Sequence, residues 1–307
     1  MKLEGIHHIT CITAEAQRNV DFYAGLLGLR LVKKTVNQDQ PSVYHLFYAD
    51  EDGDPGSDLT FFEFPGTPAG RPGAGMVHRI VWRVASEAAL DFWAERLKSA
   101  GYESRRERHS LHFSDFENLD HELVISTVDD QPLIAEHPEV PSEVALQGFD
   151  AVRAYAADPE RSREPFEEAL GFEPVDGGWE ARGSSRGGHY IYDEAPSAPG
   201  LQGAGSVHHV AWASQIDEHE AWRERAAEAG LNPTPIIDRF YFRSIYFREP
   251  SGVLFEIATI GPGFAVDEDA DKLGEELALP PFLEHMREQI EPILTPITNP
   301  RDAAAKR

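Results

Sequence analysis

Three residues near opposite ends of the chain have side chains suited to binding one metal ion: His8, His209 and Glu256. Each lies in a segment rich in β-branched and aromatic residues, which is typical of a strand. Two imidazoles and one carboxylate on strands form a facial triad, a ligand set that leaves positions on the metal open. The chain has a single cysteine, Cys11, so a structural zinc site built on cysteines is excluded.

An internal repeat places these residues. Four segments with a helical pattern each end at a glycine and lead into a strand-like segment; the glycines are Gly28, Gly101, Gly171 and Gly230. A short strand with a shared pattern precedes each helix: GIHHITCI, GMVHRIVWRV, GFDAVRAYA and GSVHHVAWAS. Aromatic and β-branched segments follow each helix and indicate antiparallel strands with one buried face. The repeated unit is therefore β-α-β-β-β.

Alignment of the four units shows where polar residues replace apolar ones. When GMVHRIVW is aligned with GSVHHVAW, Arg79 falls opposite His209. Aligning the closing strands HELVIST and VLFEIAT places Val124 opposite Glu256, and aligning GIHHIT with GFDAVR places Ala151 opposite His8. Only the first and fourth units therefore carry the three candidate ligands.

These observations predict an α+β fold of four β-α-β-β-β modules that form two open β-barrels. Because the ligands come from modules 1 and 4, we expect these two modules to pair around the metal, with modules 2 and 3 in the other barrel. The predicted divisions are modules 1 and 2 in 1–130, a Pro-rich linker in 131–144, modules 3 and 4 in 145–262, and a C-terminal strap with a short helix in 263–307. A strap over the sheet is favoured for this last segment over a lid above the pocket.

Each candidate ligand also has a less specific interpretation. A histidine on a buried strand is more often a hydrogen-bonded core residue than a ligand, and a glutamate near a strand end is usually solvated. His45 could line a pocket or be a buried hydrogen-bonded residue. Glu63 is not needed as a ligand, and a second buried charge would be costly. No chemistry is assigned to three histidines of the second unit: His109, His112 and His121.

Composition restricts the function further. The 307 residues include 53 acidic and 28 basic side chains, for a formal net charge of −25. Such a surface repels phosphate backbones, so nucleic acid is not expected as a partner. No apolar run is long enough to cross a bilayer, and MKLEGIHHIT has no signal-peptide core. We therefore expect no membrane association and a cytoplasmic protein.

Several segments resemble the ring-cleaving dioxygenases of the vicinal oxygen chelate (glyoxalase/bleomycin-resistance/extradiol dioxygenase) superfamily, especially the hydroquinone 1,2-dioxygenases. They are GIHHIT, LLGLRLVKKTVN, YHLFYADEDGDPGSDLTFFEFP, GSVHHVAW, EPSGVLFEIAT and LGEELALPPFLEHMREQIEPIL. The resemblance covers nearly the whole chain and implies Fe(II), with Mn(II) as the alternative, bound by His8, His209 and Glu256. It also implies a small dihydroxylated aromatic substrate, dioxygen as co-substrate and a homo-oligomer.

The same resemblance points to residues around the metal. It implies that Tyr246 is catalytic and that Arg239, Thr10, His208 and His7 contact substrate. Thr10 should share a face with His8, since it lies two residues along the strand. His7 and His208 directly precede ligands and should point to the opposite face unless a bulge turns them. Aromatic packing for Tyr246 and a surface ion pair for Arg239 are the competing interpretations.

Two other activities fit the same scaffold. A glyoxalase-type isomerase or lyase with Ni(II) or Zn(II) would normally use a second carboxylate ligand. A metal-free binding protein of the drug-sequestering kind would not need a complete ligand set. The fold alone does not separate these functions from ring cleavage.

Overall fold

The computed structural model describes residues 1–301 and contains two eight-stranded sheets. The strands are β1 (Ile6–Thr13), β2 (Arg30–Asn37), β3 (Gln40–Ala49), β4 (Asp58–Glu63), β5 (Met76–Val84), β6 (Ser104–Arg106), β7 (Ser110–Ser114), β8 (Asp120–Ile125), β9 (Phe149–Ala156), β10 (Glu173–Val175), β11 (Gly178–Arg182), β12 (Gly187–Glu194), β13 (Ser206–Ser214), β14 (Ile237–Asp238), β15 (Arg243–Arg248) and β16 (Leu254–Thr259). The predicted α+β class with four β-α-β-β-β modules is confirmed.

Each sheet combines one module from each half of the chain. The first sheet has the order β14-β15-β16-β13-β1-β4-β3-β2, so it contains modules 1 and 4. The second has the order β10-β11-β12-β9-β5-β8-β7-β6 and contains modules 2 and 3. In the first sheet β1 and β13 are antiparallel neighbours at the centre, and each has a parallel strand on its other side. The expected pairing of modules 1 and 4 is therefore observed, whereas the domain boundaries remain a prediction.

The helices differ in regularity between the modules. The segments are α1 (Ala16–Val20) with a π-helical continuation (Asp21–Leu26), α2 (Glu87–Ser99), a 3₁₀ turn (Pro159–Ser162) with a π-helical segment (Pro165–Leu170), and α3 (His219–Glu228). The four predicted terminal glycines, Gly28, Gly101, Gly171 and Gly230, all have φ between +69° and +84°, so each provides the left-handed turn into the next strand. Among residues 1–301, no helix is long and apolar enough to span a membrane.

Matching β-bulges interrupt the central strand pair of each sheet. In the first sheet the register skips His7 on β1 and His208 on β13. In the second sheet it skips Asp150 on β9 and His78 on β5, at the equivalent positions. An extra residue in one strand changes the direction in which side chains point. The bulges therefore decide which way the residues before the candidate ligands face.

The strand register corrects one alignment made from the sequence. Glu256 on β16 lies beside Ala211 of β13. In the second sheet the equivalent strand residue is Val81, and its neighbour on β8 is Glu122. The counterpart of Glu256 is therefore Glu122, not Val124. The alignment of HELVIST with VLFEIAT was wrong by two residues, because both registers place apolar residues on a buried face.

The segment after the fourth module packs against the edge of the first sheet. It contains two 3₁₀ turns (Phe264–Val266 and Ala270–Lys272), α4 (Pro281–Glu284), α5 (Arg287–Ile290) and a last 3₁₀ turn (Glu291–Ile293). The ammonium of Lys33, fully buried on β2, lies 2.7 Å from Asp267 and also pairs with Glu268. Residues 302–307 of the predicted strap lie outside the described residues.

Candidate metal centre

Three side chains from three strands meet inside the first sheet. Nε2 of His8 lies 3.3 Å from Nε2 of His209 and 3.3 Å from Oε2 of Glu256. Nε2 of His209 and Oε2 of Glu256 are 3.0 Å apart. The exposed fractions are 1%, 5% and 0% for His8, His209 and Glu256. The fold thus brings His8 together with two residues that lie more than 200 positions further along the sequence, and each of the three offers one donor atom to a common point.

The donor geometry fits an octahedral metal with three adjacent positions filled by protein. Neighbouring donors at about 2.1 Å from an ion, separated by a right angle, lie about 3.0 Å from each other. The three measured separations, 3.0 to 3.3 Å, are close to this value. In addition, Oε2 of Glu256 is buried and accepts no hydrogen bond. A buried oxygen without a partner is costly unless a cation is bound there.

The two bulge residues, His7 and His208, form hydrogen bonds with the two candidate histidine ligands. Nδ1 of His7 lies 2.9 Å from Nδ1 of His8, and Nδ1 of His208 lies 2.8 Å from Nδ1 of His209. His7 and His208 therefore face the candidate ligands, as expected for the alternative in which a bulge turns their side chains. Burial, followed by repulsion from the neighbouring histidine, lowers the pKa of His7 to about 3 and that of His208 to about 4.

The position of one proton follows from the contacts of His7. Its Nε2 lies 3.2 Å from the carbonyl oxygen of Thr259, which can only accept, so this nitrogen carries the hydrogen. Neutral His7 is then an acceptor at Nδ1, and His8 must donate from its own Nδ1. In neutral His8 the remaining nitrogen, Nε2, carries the lone pair and faces Glu256. This is the tautomer that a metal ligand requires.

The carboxylate of Glu256 accepts a hydrogen bond from a residue that was not identified from the sequence. The hydroxyl of Ser244 on β15 donates a short hydrogen bond to Oε1 of Glu256, which leaves Oε2 for the other two donors. Burial alone would raise the pKa of Glu256, but the interactions with His8 and His209 outweigh it and hold the pKa well below its ordinary value. Ser244 lies two residues before Tyr246 on the same strand, so strand periodicity could have identified it.

A cavity of about 460 Å³ opens onto the three donors. This is the size of a small-molecule site. Its wall contains all three candidate ligands together with aromatic side chains, among them Phe47, Phe62 and Phe242. No residue of 263–301 lines the cavity, which favours a strap over a lid for the C-terminal segment.

Two of the predicted substrate-site residues line this cavity beside His209. The ring of Tyr246 packs edge-to-face on the ring of His209, with centroids 5.8 Å apart. Burial, followed by the charge of Glu256, raises the pKa of Tyr246, so its hydroxyl remains a donor. The guanidinium of Arg239 lies 5.6 Å from the Tyr246 ring centroid and also pairs with the exposed Asp39 at 3.0 Å. Arg239 thus lines the cavity and also forms an ion pair with a surface carboxylate, and its contact with substrate stays a prediction.

The remaining predicted residues divide between the cavity and its support. His208 lines the cavity, whereas His7 and Thr10 do not. Thr10 is fully buried, and its hydroxyl accepts a hydrogen bond from Thr60 at 2.8 Å. His45, which the sequence analysis left open between a cavity role and a buried hydrogen-bonded one, lines the cavity and also contacts Thr60.

Asp58 lies behind the centre and was not identified from the sequence. It is beside His8 on the neighbouring strand, and a carboxylate oxygen of Asp58 lies within 4.8 Å of ring nitrogens of both His7 and His8. Neither carboxylate oxygen has a hydrogen-bond partner. Burial, followed by the charges of Asp50 and Glu256, raises the pKa of Asp58 well above its ordinary value.

The residues set aside in the sequence analysis lie away from the centre. Glu63 accepts hydrogen bonds from the backbone of Ala16 and the hydroxyl of Thr295, so it holds the C-terminal segment against α1. His121 is buried between Trp82 and Tyr23. In the second sheet, Arg79 and Glu122 occupy the positions of His209 and Glu256 and form an ion pair of 3.3 Å.

Comparison with known proteins gives one family. The Glyoxalase/Bleomycin resistance protein/Dioxygenase superfamily matches residues 5–114 and 148–257. The Bacillus subtilis (strain 168) protein named "Putative ring-cleaving dioxygenase MhqA" is 40% identical over 97% of this chain and 100% of its own length. The Sphingobium indicum "Chlorohydroquinone/hydroquinone 1,2-dioxygenase" is 34% identical over 94% of this chain and 95% of its own length.

Solved structures agree with this assignment. A Bacillus subtilis crystal structure described as a "putative dioxygenase" superposes with a TM-score of 0.89 at 37% identity, over 97% of this chain and 98% of that one. Glyoxalase I from Zea mays shares the fold, with a TM-score of 0.56 at 17% identity over 83% of this chain and 92% of that one. The chain therefore belongs to the Glyoxalase/Bleomycin resistance protein/Dioxygenase superfamily, and it groups there with enzymes named as ring-cleaving dioxygenases.

Proposed function

We propose that the chain is a non-haem Fe(II)-dependent, extradiol-type ring-cleaving dioxygenase that acts on a hydroquinone or a related dihydroxylated aromatic, with Mn(II) as the alternative metal. The observation that carries the proposal is the meeting of His8, His209 and Glu256 at 3.0 to 3.3 Å on the wall of an aromatic-lined cavity. The names of the relatives support the reaction class and suggest the substrate class.

His8, His209 and Glu256 would hold the metal through Nε2, Nε2 and Oε2. When bound, Fe(II) supplies a Lewis acid and an electron conduit, with open positions for a phenolate oxygen and dioxygen. His7 and Ser244 fix the orientations of His8 and Glu256 by hydrogen bonds, so these donors are held in place before the ion arrives.

The other residues of the cavity would bind and orient the substrate. The aromatic side chains in the cavity wall suit a flat ring. The Tyr246 hydroxyl, kept protonated by burial, can donate a hydrogen bond to an oxygen on the reacting face. Arg239 supplies positive charge at the cavity wall for a second oxygen or a ring substituent, and its pairing with Asp39 limits its movement. His208 is a third polar group on this wall.

One observation argues against a glyoxalase-type isomerase or lyase. Glu256 lies beside Ala211, the strand partner of His8. The symmetric position lies beside Thr10, the strand partner of His209, and it is occupied by Thr60. A second carboxylate ligand is therefore replaced by a hydroxyl. The partnerless oxygen of Glu256 likewise argues against a metal-free binding protein.

The test is anaerobic reconstitution with Fe(II), Mn(II), Ni(II) or Zn(II), followed by oxygen uptake across hydroquinones, catechols and monophenols. We expect one metal per chain, and uptake of one dioxygen per ring opened, with Fe(II) or Mn(II) only. The matched control is Arg79→Gln in the second sheet, which should leave the uptake unchanged. Isomerisation of a glutathione hemithioacetal by the Ni(II) or Zn(II) form, without oxygen uptake, would assign the glyoxalase function instead.

Three further expectations belong to this proposal. The formal charge of −25 argues against nucleic acid as a partner. A homo-oligomer is expected by resemblance, and sedimentation analysis would determine its size. A cytoplasmic location and the absence of membrane association remain predictions that cell fractionation can test.

A further inference from the structure

His45 on β3 is a polar group of the cavity to which the proposed reaction assigns no role. Its ring lies between Phe47 and Phe62, with centroid distances of 3.9 Å and 4.3 Å. These contacts restrict rotation of the imidazole within a mostly aromatic part of the wall. The orientation of its two nitrogens is therefore set by the protein rather than by the ligand.

The hydrogen bonds of His45 determine which nitrogen is free. The hydroxyl of Thr60 donates its only hydrogen to Thr10, at 2.8 Å. Nε2 of His45 lies 2.9 Å from the same Thr60 oxygen, so this nitrogen must donate. Nδ1 then carries the lone pair, and it has no hydrogen-bond partner within residues 1–301. Nδ1 is not among the fully buried atoms of the protein, and His45 lines the cavity. This nitrogen is therefore accessible from the cavity.

His45 also remains neutral. Burial, followed by the neighbouring side chains of His8, His209 and Arg239, holds the pKa of His45 well below its ordinary value. A neutral imidazole whose Nε2 already donates can only accept at Nδ1. The free site therefore suits a hydroxyl donor and not a carbonyl or an ether oxygen.

Three other polar side chains of the cavity wall are engaged elsewhere, whereas the hydroxyl of Thr35 in the same wall is buried without a partner in the described part of the chain. The side-chain oxygen of Asn37 accepts from the backbone of Asp39 and Gln40. Asp39 itself pairs with Arg239. The Tyr241 hydroxyl donates to Asp267 in the C-terminal segment, at 3.0 Å.

The position of His45 separates it from the metal ligands. Its nitrogens are not part of the donor cluster, whose atoms all lie within 4.8 Å of one another. A hydroxyl on the ring carbon next to the metal-bound oxygen would itself lie at the metal. A hydroxyl across the ring would lie away from the metal ligands, within the same cavity whose wall includes His45.

We propose that Nδ1 of His45 accepts a hydrogen bond from the substrate hydroxyl across the ring from the metal-bound oxygen, and so contributes to selection of 1,4-dihydroxylated rings. This inference rests on the proposed ring-cleaving function and adds a specificity-determining residue to it. Thr60 and Thr10 act behind His45, since their hydroxyls fix the direction in which its proton points.

The test compares binding of hydroquinone with binding of 4-methoxyphenol, whose second oxygen cannot donate, to the anaerobic Fe(II)-loaded protein by calorimetry. A neutral hydrogen bond corresponds to a preference for hydroquinone of about 3- to 10-fold in Kd. Two variants form a matched pair. His45→Asn keeps an acceptor at the position of Nδ1, and His45→Gln keeps a donor to Thr60 without that acceptor.

We expect the preference in the wild type and in His45→Asn, and its loss in His45→Gln. The size penalty of the methoxy group is common to all three proteins and cancels when their Kd ratios are compared. Equal ratios in the wild type and His45→Gln, with hydroquinone still bound, overturn the role of His45 and leave the proposed function intact. Absence of saturable binding of either phenol to the loaded wild type overturns both. Equal Kd values of the wild type for the two phenols also overturn the role of His45, even if a variant does not fold, because the size penalty and the hydrogen bond both favour hydroquinone.

Discussion

The support that His7 gives to His8 can be tested with a pair of substitutions. His7 accepts from Nδ1 of His8 and donates to the carbonyl of Thr259. His7→Gln keeps a donor at the position of Nε2 and removes the acceptor for His8. His7→Asn does the reverse, since its side-chain oxygen lies where Nδ1 was. The pair therefore separates orientation of the metal ligand from attachment to β16.

The expected loss follows from the contacts of His8. Its ring has one hydrogen bond that fixes its tautomer and direction, and His7→Gln leaves that buried N–H without an acceptor. Removal of such a partner of a metal-ligating histidine typically lowers metal affinity about 10- to 100-fold. We expect a loss in this range for His7→Gln and a smaller one for His7→Asn. Substitution of Asp58, whose carboxylate makes no hydrogen bond, should change the affinity less than His7→Gln does.

Metal affinity can be measured anaerobically by competition with a chromophoric chelator, using Fe(II) and Mn(II). Circular dichroism and thermal melts of the same samples report whether each variant is folded. Wild-type affinity in a folded His7→Gln variant would refute the hydrogen-bond chain inferred for His7 and His8. Failure of the wild type to bind either metal would refute the metal centre itself.

Three other predictions follow from contacts described above or from the ion pairs of the second sheet. Glu256→Gln retains the shape of the side chain but removes its charge. The purified variant should therefore lose bound metal and oxygen uptake, while its melting temperature stays within a few degrees of the wild type. A fully metallated variant would contradict this prediction. Tyr246→Phe should lower kcat by about 100-fold or more with little change in Kd for substrate, because only a proton donor is lost. Unchanged kcat in stopped-flow assays would remove Tyr246 from catalysis. Asp130 accepts hydrogen bonds from Arg83 and Arg182, which outweigh burial and hold its pKa below the ordinary value. The stabilisation of the folded state by ionised Asp130 is therefore present above pH 4 and is lost as the pH falls through the lower folded pKa. Asp130→Asn should lower the unfolding free energy at pH 7 by about 2 kcal/mol. In urea unfolding experiments, the stability of this variant should be less sensitive to acid below pH 4.

The sequence predicted the modules and their pairing because both depend on regular features. The helix-ending glycines mark a left-handed backbone that few other residues adopt, so the repeat was visible without any homologue. The pairing of modules 1 and 4 followed from the placement of His8, His209 and Glu256, and the strand order has these two modules in one sheet. The family assignment drew on longer segments and covers both halves of the chain.

The parts that the sequence did not predict depend on register and on bulges. A shift of two residues keeps every side chain on the same face, so the pattern could not choose between Val124 and Glu122 as the counterpart of Glu256. A bulge adds one residue without a composition signal, so the direction of His7 and His208 remained conditional. Ser244 and Thr60 are ordinary strand residues, and only their contacts with Glu256 and His45 give them a role.

The second sheet has the same interrupted central strands without the ligands. Of its bulge residues, His78 forms a hydrogen bond with Asp193, and Asp150 forms an ion pair with Arg83. A backbone irregularity that supports metal ligands in one barrel is thus retained in the other, where it anchors a charged network. Since Glu122 already occupies the register position of the carboxylate, histidines in place of Arg79 and Ala151 would give this barrel the same three donor types. The second barrel therefore has the backbone and one of the three donor groups that a second metal centre in the same chain would need.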